Sequence, residues 1–192
     1  VIDDDADEII GTYRMQTHAM AAAHQGFYSS GEYDLSGLGP AILSNAVEVG
    51  RACVALEHRK QRVLFALWRG LAAYMLAKGQ RYLFGCCSLT SQDPVEGLAT
   101  MERLRQMGVV APGPLVRPLP GLECNGPSPT SEQIAAVKIP TLFGTYLRFK
   151  SLVHSEPAID REFKTIDWIV VMDIEALDAK TVQLFFGAPP RS

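Results

Sequence analysis

Two charged side chains inside an apolar stretch are the residues of this sequence that could do chemistry. Glu48 and Arg51 lie within residues 46–54, a run of small and β-branched residues that predicts a buried strand. A charge in a buried strand is costly unless it is paired or used. A half-buried carboxylate can act as a general base for an amine, so Glu48 is a candidate base. The alternative is a structural ion pair between Glu48 and Arg51.

A basic turn follows this strand and precedes a predicted helix. The turn, residues 57–62, contains Arg59, Lys60 and Arg62, and the helix is predicted over residues 63–78. Five apolar residues recur at helical spacing on one face of that helix: Leu64, Leu67, Trp68, Leu71 and Met75. A helix N-terminus with basic neighbours attracts anions, above all phosphate. The turn is therefore a candidate phosphate site, and a solvated surface turn is the alternative.

The remaining pattern predicts a sheet with helices packed around it. Strands are predicted over residues 8–17, 81–89 and 166–174, and helices over residues 18–25, 94–107, 139–153 and 178–186. Asp93 followed by Pro94 is the cap signal of one helix, and serines followed by Glu32 are a second cap signal. Strands before and after a central strand–helix unit favour one mixed α/β or α+β domain.

Two further segments carry open alternatives. Arg14 shares one face of its predicted strand with Thr12 and Gln16, and it is either an exposed cross-strand residue or part of a substrate site. Residues 26–35 are rich in aromatic side chains. They form either a loop and one-turn helix that line the core or the wall of an apolar ligand pocket.

Composition excludes several classes of protein. The chain has 192 residues and a net charge of −3, which suits one soluble globular domain and argues against a general nucleic-acid binder. No apolar run approaches the roughly 20 residues of a membrane span. Cys53, Cys86 and Cys87 lie in strand-like runs, so we interpret them as core thiols of a protein in a reducing compartment.

Motifs that define common enzyme classes are absent from the sequence. It contains no G-x-x-x-x-G-K-[ST], G-x-G-x-x-G, H-E-x-x-H or G-x-S-x-G. The four histidines are scattered, so no metal site is expected. A cysteine nucleophile stays open, although Cys86 and Cys87 have no histidine at suggestive spacing.

The strand, basic turn and amphipathic helix together resemble the acyl-donor motif of the GNAT N-acyltransferase superfamily. The closer resemblance is to the ornithine N-acyltransferases that make lyso-ornithine lipid, a group sometimes labelled hemolysin-like that also includes long-chain N-acyl amino acid synthases. It extends over nearly the whole chain and rests on six runs: G-T-Y-R (11–14), F-Y-S-S-G-E-Y-D-L (27–35), E-V-G-R-A-C-V (48–54), L-F-G-C-C-S (83–88), I-P-T-L-F-G-T-Y-L-R (139–148) and D-R-E-F-K-T-I-D (160–167). The E-x-x-R and G-x-x-R patterns are also similar, more distantly, to acyl-homoserine-lactone synthases.

This resemblance implies a fold and an activity. We expect a GNAT-like mixed, mostly antiparallel central sheet flanked by helices. Residues 1–192 would form one N-acyltransferase domain that lacks the family's amino-terminal helix and strand. The activity would be transfer of a long-chain fatty acyl group from acyl-ACP to the α-amino group of an amino acid such as ornithine. The alternatives are an acyl-homoserine-lactone synthase, which would use S-adenosylmethionine, and a non-catalytic acyl-carrier or lipid-binding module.

The resemblance also assigns roles to residues. Glu48 would deprotonate the attacking amine, directly or through water, while backbone amides of the central strand polarise the thioester carbonyl. Arg14 and Arg51 would bind the acceptor carboxylate or brace Glu48. Three aromatic residues would line the acyl tunnel together with the apolar helix faces: Phe27, Tyr28 and Tyr33.

The expected acyl donor follows from a departure from the family pattern. Acetyl-CoA-using members carry R-x-x-G-x-G in the turn, but two of those positions are Arg62 and Leu64 here, and bulky side chains disfavour a pyrophosphate cradle. We therefore expect acyl-ACP rather than acyl-CoA as co-substrate, no permanently bound cofactor, and docking of the carrier at Arg59, Lys60 and Arg62. The other expectations are an amino-acid substrate, no nucleic acid, and a cytoplasmic protein with peripheral contact at the inner membrane face.

Overall fold

The computed structural model of this chain describes residues 1–59 and 61–187, with Gln61 described by its backbone alone. The strands are β1 (Ile2–Asp3), β2 (Glu8–Ile9), β3 (Gly11–Thr17), β4 (Ala46–Val54), β5 (Tyr82–Leu89), β6 (Leu152–Val153), β7 (Ala158–Asp160) and β8 (Thr165–Asp173). The α-helices are α1 (His18–Ala22), α2 (Pro40–Leu43), α3 (Gln61–Lys78), α4 (Pro94–Gln106), α5 (Ser131–Ala136), α6 (Thr141–Arg148) and α7 (Ala179–Phe186).

The main sheet has the strand order β3-β4-β5-β8-β6, and β7 also pairs with β8. Within the described residues, β4 and β5 are the one parallel pair of this sheet, and its other neighbours run antiparallel. The predicted mixed, mostly antiparallel sheet flanked by helices is therefore confirmed.

The parallel pairing between β4 and β5 stops halfway along both strands. Its register runs from Ala46 opposite Tyr82 to Glu48 opposite Phe84. A Cβ atom built on Gly85 would clash with the carbonyl oxygen of Val49, so only glycine allows this close approach. Beyond this point β4 pairs with β3 alone and β5 with β8 alone, which leaves a cleft between their outer halves.

Side chains of β8 alternate between two apolar layers, one on each face of the sheet. Trp168, Val170 and Met172 pack in the larger layer, which also contains the buried face of α3. Ile169 and Val171 pack in the second layer. The helical face predicted for residues 63–78 is confirmed, since four of its five residues are buried and the fifth is half-buried: Leu67, Trp68, Leu71, Met75 and Leu64.

Helix caps confirm two predicted helix starts. Asp93 accepts a hydrogen bond from the backbone N–H of Val95, and Pro94 occupies the first helical position of α4. Asp178 caps α7 in the same way. The predicted cap by serines before Glu32 is wrong, because the hydroxyl of Ser29 donates to Glu48 and the segment Tyr28–Gly31 forms a 3₁₀ turn.

Three other predictions differ from the structure. The predicted helix 139–153 ends at Arg148, because Lys150 adopts a left-handed backbone (φ 58°) and Leu152–Val153 joins the sheet as β6. The predicted strand 8–17 is interrupted at Ile10. Cys53 is exposed rather than a core thiol, because it lies in the outer half of β4, where β5 no longer pairs with the strand.

No helix of the described residues combines the length and the apolar character that a membrane span requires.

Candidate active site

Two cavities open on either side of the cleft between β4 and β5. Their volumes are about 310 Å³ and 210 Å³. Five lining residues are common to both, namely Val49, Gly50 and Arg51 from β4 and Cys86 and Ser88 from β5. The two cavities therefore meet where the strands separate, and groups bound in each could approach one another there.

The larger cavity is mainly apolar, and we call it the apolar cavity. It extends from the cleft to α6 and β8, whose contributions include Leu142, Phe143, Val170 and Met172. Away from the cleft, its polar groups include the pair Tyr13 and Tyr146, whose hydroxyl oxygens lie 3.1 Å apart. Burial raises the pKa of both tyrosines, so both hydroxyls stay neutral. This cavity suits an apolar chain.

The smaller cavity is lined by charged side chains, and we call it the polar cavity. One of them is Glu48, which is only 1% exposed. Its carboxylate accepts hydrogen bonds from the backbone N–H groups of Tyr28 and Ser29, each at 2.8 Å, and from the Ser29 hydroxyl. Arg14 Nη2 completes the set at 3.5 Å from Glu48 Oε2. These four donors hold Glu48 in place and tie the Tyr28–Ser29 turn to β4.

The partner of Glu48 is Arg14 and not Arg51, so the alternative of a Glu48–Arg51 ion pair is wrong. In the β3–β4 register Gln16 lies opposite Glu48 and Arg14 opposite Gly50, which makes Arg14 and Glu48 diagonal neighbours. Arg51 instead donates to the hydroxyl of Tyr28 at 3.4 Å.

The guanidinium of Arg51 is held between two aromatic rings. It lies 5.1 Å from the ring centroid of Tyr28 and 4.6 Å from that of Phe163, both within cation–π range. Arg14 stacks on Tyr28 as well, at 4.6 Å. The two arginines are therefore fixed at the polar cavity by a shared aromatic ring.

A β-bulge brings Arg51 to this cavity. Between the pairs Thr12–Cys53 and Arg14–Gly50, β3 has one residue and β4 has two, Arg51 and Ala52. Arg51 adopts a left-handed backbone with φ 53°, which is uncommon for residues other than glycine. In a regular strand, residues 48 and 51 would point to opposite faces. The bulge re-aims Arg51, so that it lines the same cavity as Glu48.

Three carboxylates form another part of the wall of the polar cavity. Oxygen atoms of Glu32, Asp160 and Asp167 all lie within 4.8 Å of one another. Burial, followed by repulsion from Asp167 and Asp160, raises the pKa of Glu32 to about 8, so Glu32 holds a proton at neutral pH in the unliganded protein. Burial also raises the pKa of Asp167. We call these three residues the acidic pocket.

The thiols near the cleft are protonated rather than nucleophilic. Cys86 Sγ lies 3.9 Å from Glu32 Oε2. Burial, followed by repulsion from Glu32, raises the pKa of the Cys86 thiol well above its usual value, and burial does the same for Cys87. Since the thiolate is the nucleophilic form, the site gives no support to covalent catalysis by these cysteines.

The aromatic residues predicted for the acyl tunnel lie in different places. Tyr28 lines the polar cavity. Phe27 is buried against Phe84, with ring centroids 5.0 Å apart, and the hydroxyl of buried Tyr33 donates to the backbone carbonyl of Asp167. In the described part of the chain, neither Phe27 nor Tyr33 is among the residues that line the two cavities. Their contact with an acyl chain stays a prediction.

Two of the three residues predicted to dock the carrier, Arg59 and Arg62, lie just before and within the first turn of α3. Arg59 is exposed, and its Nε donates to the backbone carbonyl of Val54 at 3.2 Å. Arg62 is exposed in the first turn of the helix. Lys60, the third member of the predicted cluster, lies outside the described residues.

Sequence reasoning missed the acidic pocket. One of its residues had a usable signal, because Asp167 is a carboxylate inside the apolar run of β8, just as Glu48 is in β4. Glu32 lies in a turn and Asp160 directly precedes one, and acidic residues are common in turns, so their types carry little information.

The sheet, its parallel β4–β5 pair and the cleft between these strands define a GNAT-like fold. Residues 1–69 match the family described as acetyltransferase (GNAT) domain. The chain is 28% identical to L-ornithine N(alpha)-acyltransferase of Brucella abortus (strain 2308) over 186 residues, which cover 94% of this chain and 66% of that protein. It is 30% identical to the protein of the same name from Rhizobium meliloti (strain 1021), covering 97% of this chain and 65% of that protein.

These matches confirm the resemblance that the sequence motifs predicted. The chain spans just under two thirds of the length of both relatives. A solved structure of a CoA-dependent acyl-homoserine lactone synthase also aligns over 96% of this chain and 66% of its own, with 12% identity and a TM-score of 0.42. Because the identity and the TM-score are this low, the structural likeness supports no conclusion about function.

Proposed function

We propose that this chain transfers a long-chain acyl group from a thioester to the α-amino group of an amino acid, with ornithine as the first candidate acceptor. The observation that carries the proposal is the meeting of an apolar cavity and a charged cavity at the cleft between β4 and β5. An acyl chain in the first and an amino acid in the second would bring thioester and amine together there. The names of the two relatives support the same reaction.

The thioester would lie in the cleft with its acyl chain in the apolar cavity. Where β4 no longer pairs with β5, backbone amides on that side of β4 can donate to the thioester carbonyl and stabilise the oxyanion. The walls formed by α6 and β8 are the surfaces that would contact the chain in this cavity. The thioester is a co-substrate, and the proposal includes no permanently bound cofactor.

Acyl-ACP is the proposed donor. Arg59 and Arg62 are exposed at the start of α3, where basic groups and the helix N-terminus favour a phosphate and an acidic carrier protein. Lys60 is proposed as the third member of this cluster.

The protein is also proposed to contact the inner face of the cytoplasmic membrane, where a lipid product would be delivered.

Arg14 and Arg51 would bind the acceptor carboxylate. Both guanidinium groups line the polar cavity, and their stacking on Tyr28 and Phe163 limits their freedom before the substrate arrives. Pre-organised guanidinium groups lose less entropy on binding a carboxylate. The α-amine of the bound acceptor would then face the cleft.

Glu48 would accept the proton of the amine through one water molecule. The amine attacks the thioester carbonyl carbon and its proton moves toward Glu48. The C–S bond then breaks, and the proton passes from Glu48 to the departing sulfur, which leaves as the pantetheine thiol. Four hydrogen bonds already engage the carboxylate, so the competing role for Glu48 is to position Arg14 and the Tyr28–Ser29 turn.

The test is to incubate the purified protein with ornithine and either palmitoyl-ACP or palmitoyl-CoA, and to analyse the products by mass spectrometry. We expect N-palmitoyl ornithine, formed faster from the carrier-bound donor. A lactone formed only when S-adenosylmethionine is supplied would instead identify an acyl-homoserine-lactone synthase. Binding of the acyl thioester without any product would identify a non-catalytic module.

A further inference from the structure

We infer that the acidic pocket, formed by Glu32, Asp160 and Asp167, binds a terminal ammonium group on the side chain of the acceptor. This inference rests on the proposed function, because it adds a specificity-determining subsite to the polar cavity. The three carboxylates approach one another to within 4.8 Å, and all three line that cavity.

The buried carboxylate of Asp167 points to a missing donor. Asp167 is 3% exposed, and its Oδ2 accepts a hydrogen bond from the Thr165 hydroxyl at 3.0 Å. Its Oδ1 is buried and has no hydrogen-bond partner among the described residues. A buried acceptor without a partner is costly, and a cationic donor in the cavity would satisfy it.

An ammonium group matches the pocket better than a divalent metal ion does. An alkylammonium offers three N–H donors, one for each carboxylate. Oδ1 of Asp160 already accepts from the backbone N–H groups of Glu162 and Phe163, at 2.7 and 2.9 Å, which reduces the oxygens left for a metal. Calcium and magnesium ions take six or more oxygen ligands. One positive charge would also relieve the repulsion between those carboxylates of the pocket that are ionised.

The polar cavity as a whole complements a small molecule with charges at both ends. It contains two guanidinium groups, Arg14 and Arg51, as well as the acidic pocket. Its volume of about 210 Å³ is below the range of roughly 300–1,000 Å³ that holds drug-sized ligands. A free amino acid with a carboxylate and a terminal ammonium group, such as ornithine, fits this description.

The test compares ornithine with norvaline, which has the same carbon chain without the terminal amine. For the wild-type protein we expect kcat/KM to favour ornithine by about 100-fold or more, since a site built for a donor rejects analogues that lack it. Asp167→Asn should remove most of this preference, chiefly by raising KM for ornithine. Glu32→Gln provides a second variant if Asp167→Asn fails to fold, and exposed Glu162→Gln, which lies next to the pocket in sequence, is the matched control.

Calorimetric titration of the same proteins with ornithine, norvaline and MgCl₂ separates this inference from the proposed function. Ornithine binding that Asp167→Asn weakens, with little binding of norvaline, supports the subsite even if no acyl transfer is detected. Equal kcat/KM or equal affinity for the two amino acids in the wild type would overturn the subsite and leave acyl transfer standing. Tight binding of Mg²⁺ that depends on Asp167, without a preference for ornithine, would also overturn it.

Discussion

Arg14 on β3 and Glu48 on β4 form an ion pair across neighbouring antiparallel strands, with Arg14 Nη2 3.5 Å from Glu48 Oε2. The pair connects a nearly inaccessible carboxylate to a guanidinium whose side chain is 35% exposed in the polar cavity. A substrate carboxylate bound by Arg14 would therefore change the ion pair that Arg14 makes with Glu48. This link makes Glu48 the first residue to test.

Glu48→Gln should reduce both turnover and stability. Loss of the base lowers the rate of a single turnover by about 10²–10⁴-fold. The amide also presents an NH₂ group to a site where two backbone N–H groups donate, so the free energy of unfolding should fall by about 1–3 kcal/mol.

Ser29→Ala is the matched control for Glu48→Gln. It removes one hydrogen bond to Glu48 and keeps the carboxylate, so it should cost about 1 kcal/mol of stability and less than about tenfold in rate. Urea denaturation and single-turnover assays measure the two effects. Full activity of Glu48→Gln would end the assignment of Glu48 as the base.

Arg51→Gly and Arg51→Ala should differ in stability but agree in function. Glycine adopts the left-handed backbone of residue 51 freely, whereas alanine has a Cβ atom that opposes it. We expect Arg51→Gly to be the more stable variant by about 1 kcal/mol in urea denaturation. Both variants should raise KM for the acceptor, because both lose the guanidinium. Greater stability of the alanine variant would contradict the left-handed bulge.

The stability of the unliganded protein should fall as pH rises from about 4.5 to 8. The pKa of Glu32 is raised from its ordinary value of 4.5 to about 8, first by burial and then by neighbouring carboxylates. The folded protein therefore binds this proton more tightly than the unfolded chain does. The contribution of this proton to the free energy of unfolding is fully present below pH 4.5. It is lost as the pH rises towards and through 8, by at most about 1.4 kcal/mol per pH unit.

Glu32→Gln isolates this pH effect. The variant carries no titrating proton at residue 32, so its melting temperature should depend less on pH than that of the wild type. His154, whose pKa is lowered by burial, titrates in both proteins and cancels in the comparison. Parallel stability curves for wild type and variant across this range would refute the assignment.

Reversing the charges at the start of α3 should weaken use of the carrier-bound donor. The double change Arg59→Glu and Arg62→Glu should raise KM for acyl-ACP several-fold or more at low salt, because the carrier is acidic. A short acyl-pantetheine thioester needs no protein contact and should react at nearly the wild-type rate.

Arg69→Glu is the control for the double variant, because Arg69 is exposed two turns further along the same helix. Added salt should bring the wild type closer to the double variant, since exposed charges are screened beyond roughly 8–10 Å. Equal KM values for acyl-ACP in the wild type and the double variant would exclude carrier docking at this turn.

Local patterns in the sequence determined most of the regular elements. The apolar period of α3, the Asp-Pro start of α4 and the apolar runs of β4 and β8 each depend on a few neighbouring residues. The same kind of reasoning identified Glu48, because a carboxylate within an apolar strand is costly unless it has a partner. Motifs in order along the chain were enough to predict the GNAT-like fold.

Only the tertiary structure decided which side chains meet. The partner of Glu48 depends on the β3–β4 register and on the bulge at Arg51. Neither leaves a local signal, because residue types that favour a strand do not identify its partner strand, and arginine is unusual at a left-handed position. The acidic pocket joins Glu32 to two carboxylates from much later in the chain, Asp160 and Asp167, which lie where β7 pairs with β8 beside β5. Periodicity reports how a segment is buried, whereas long-range strand pairing determines what it is buried against.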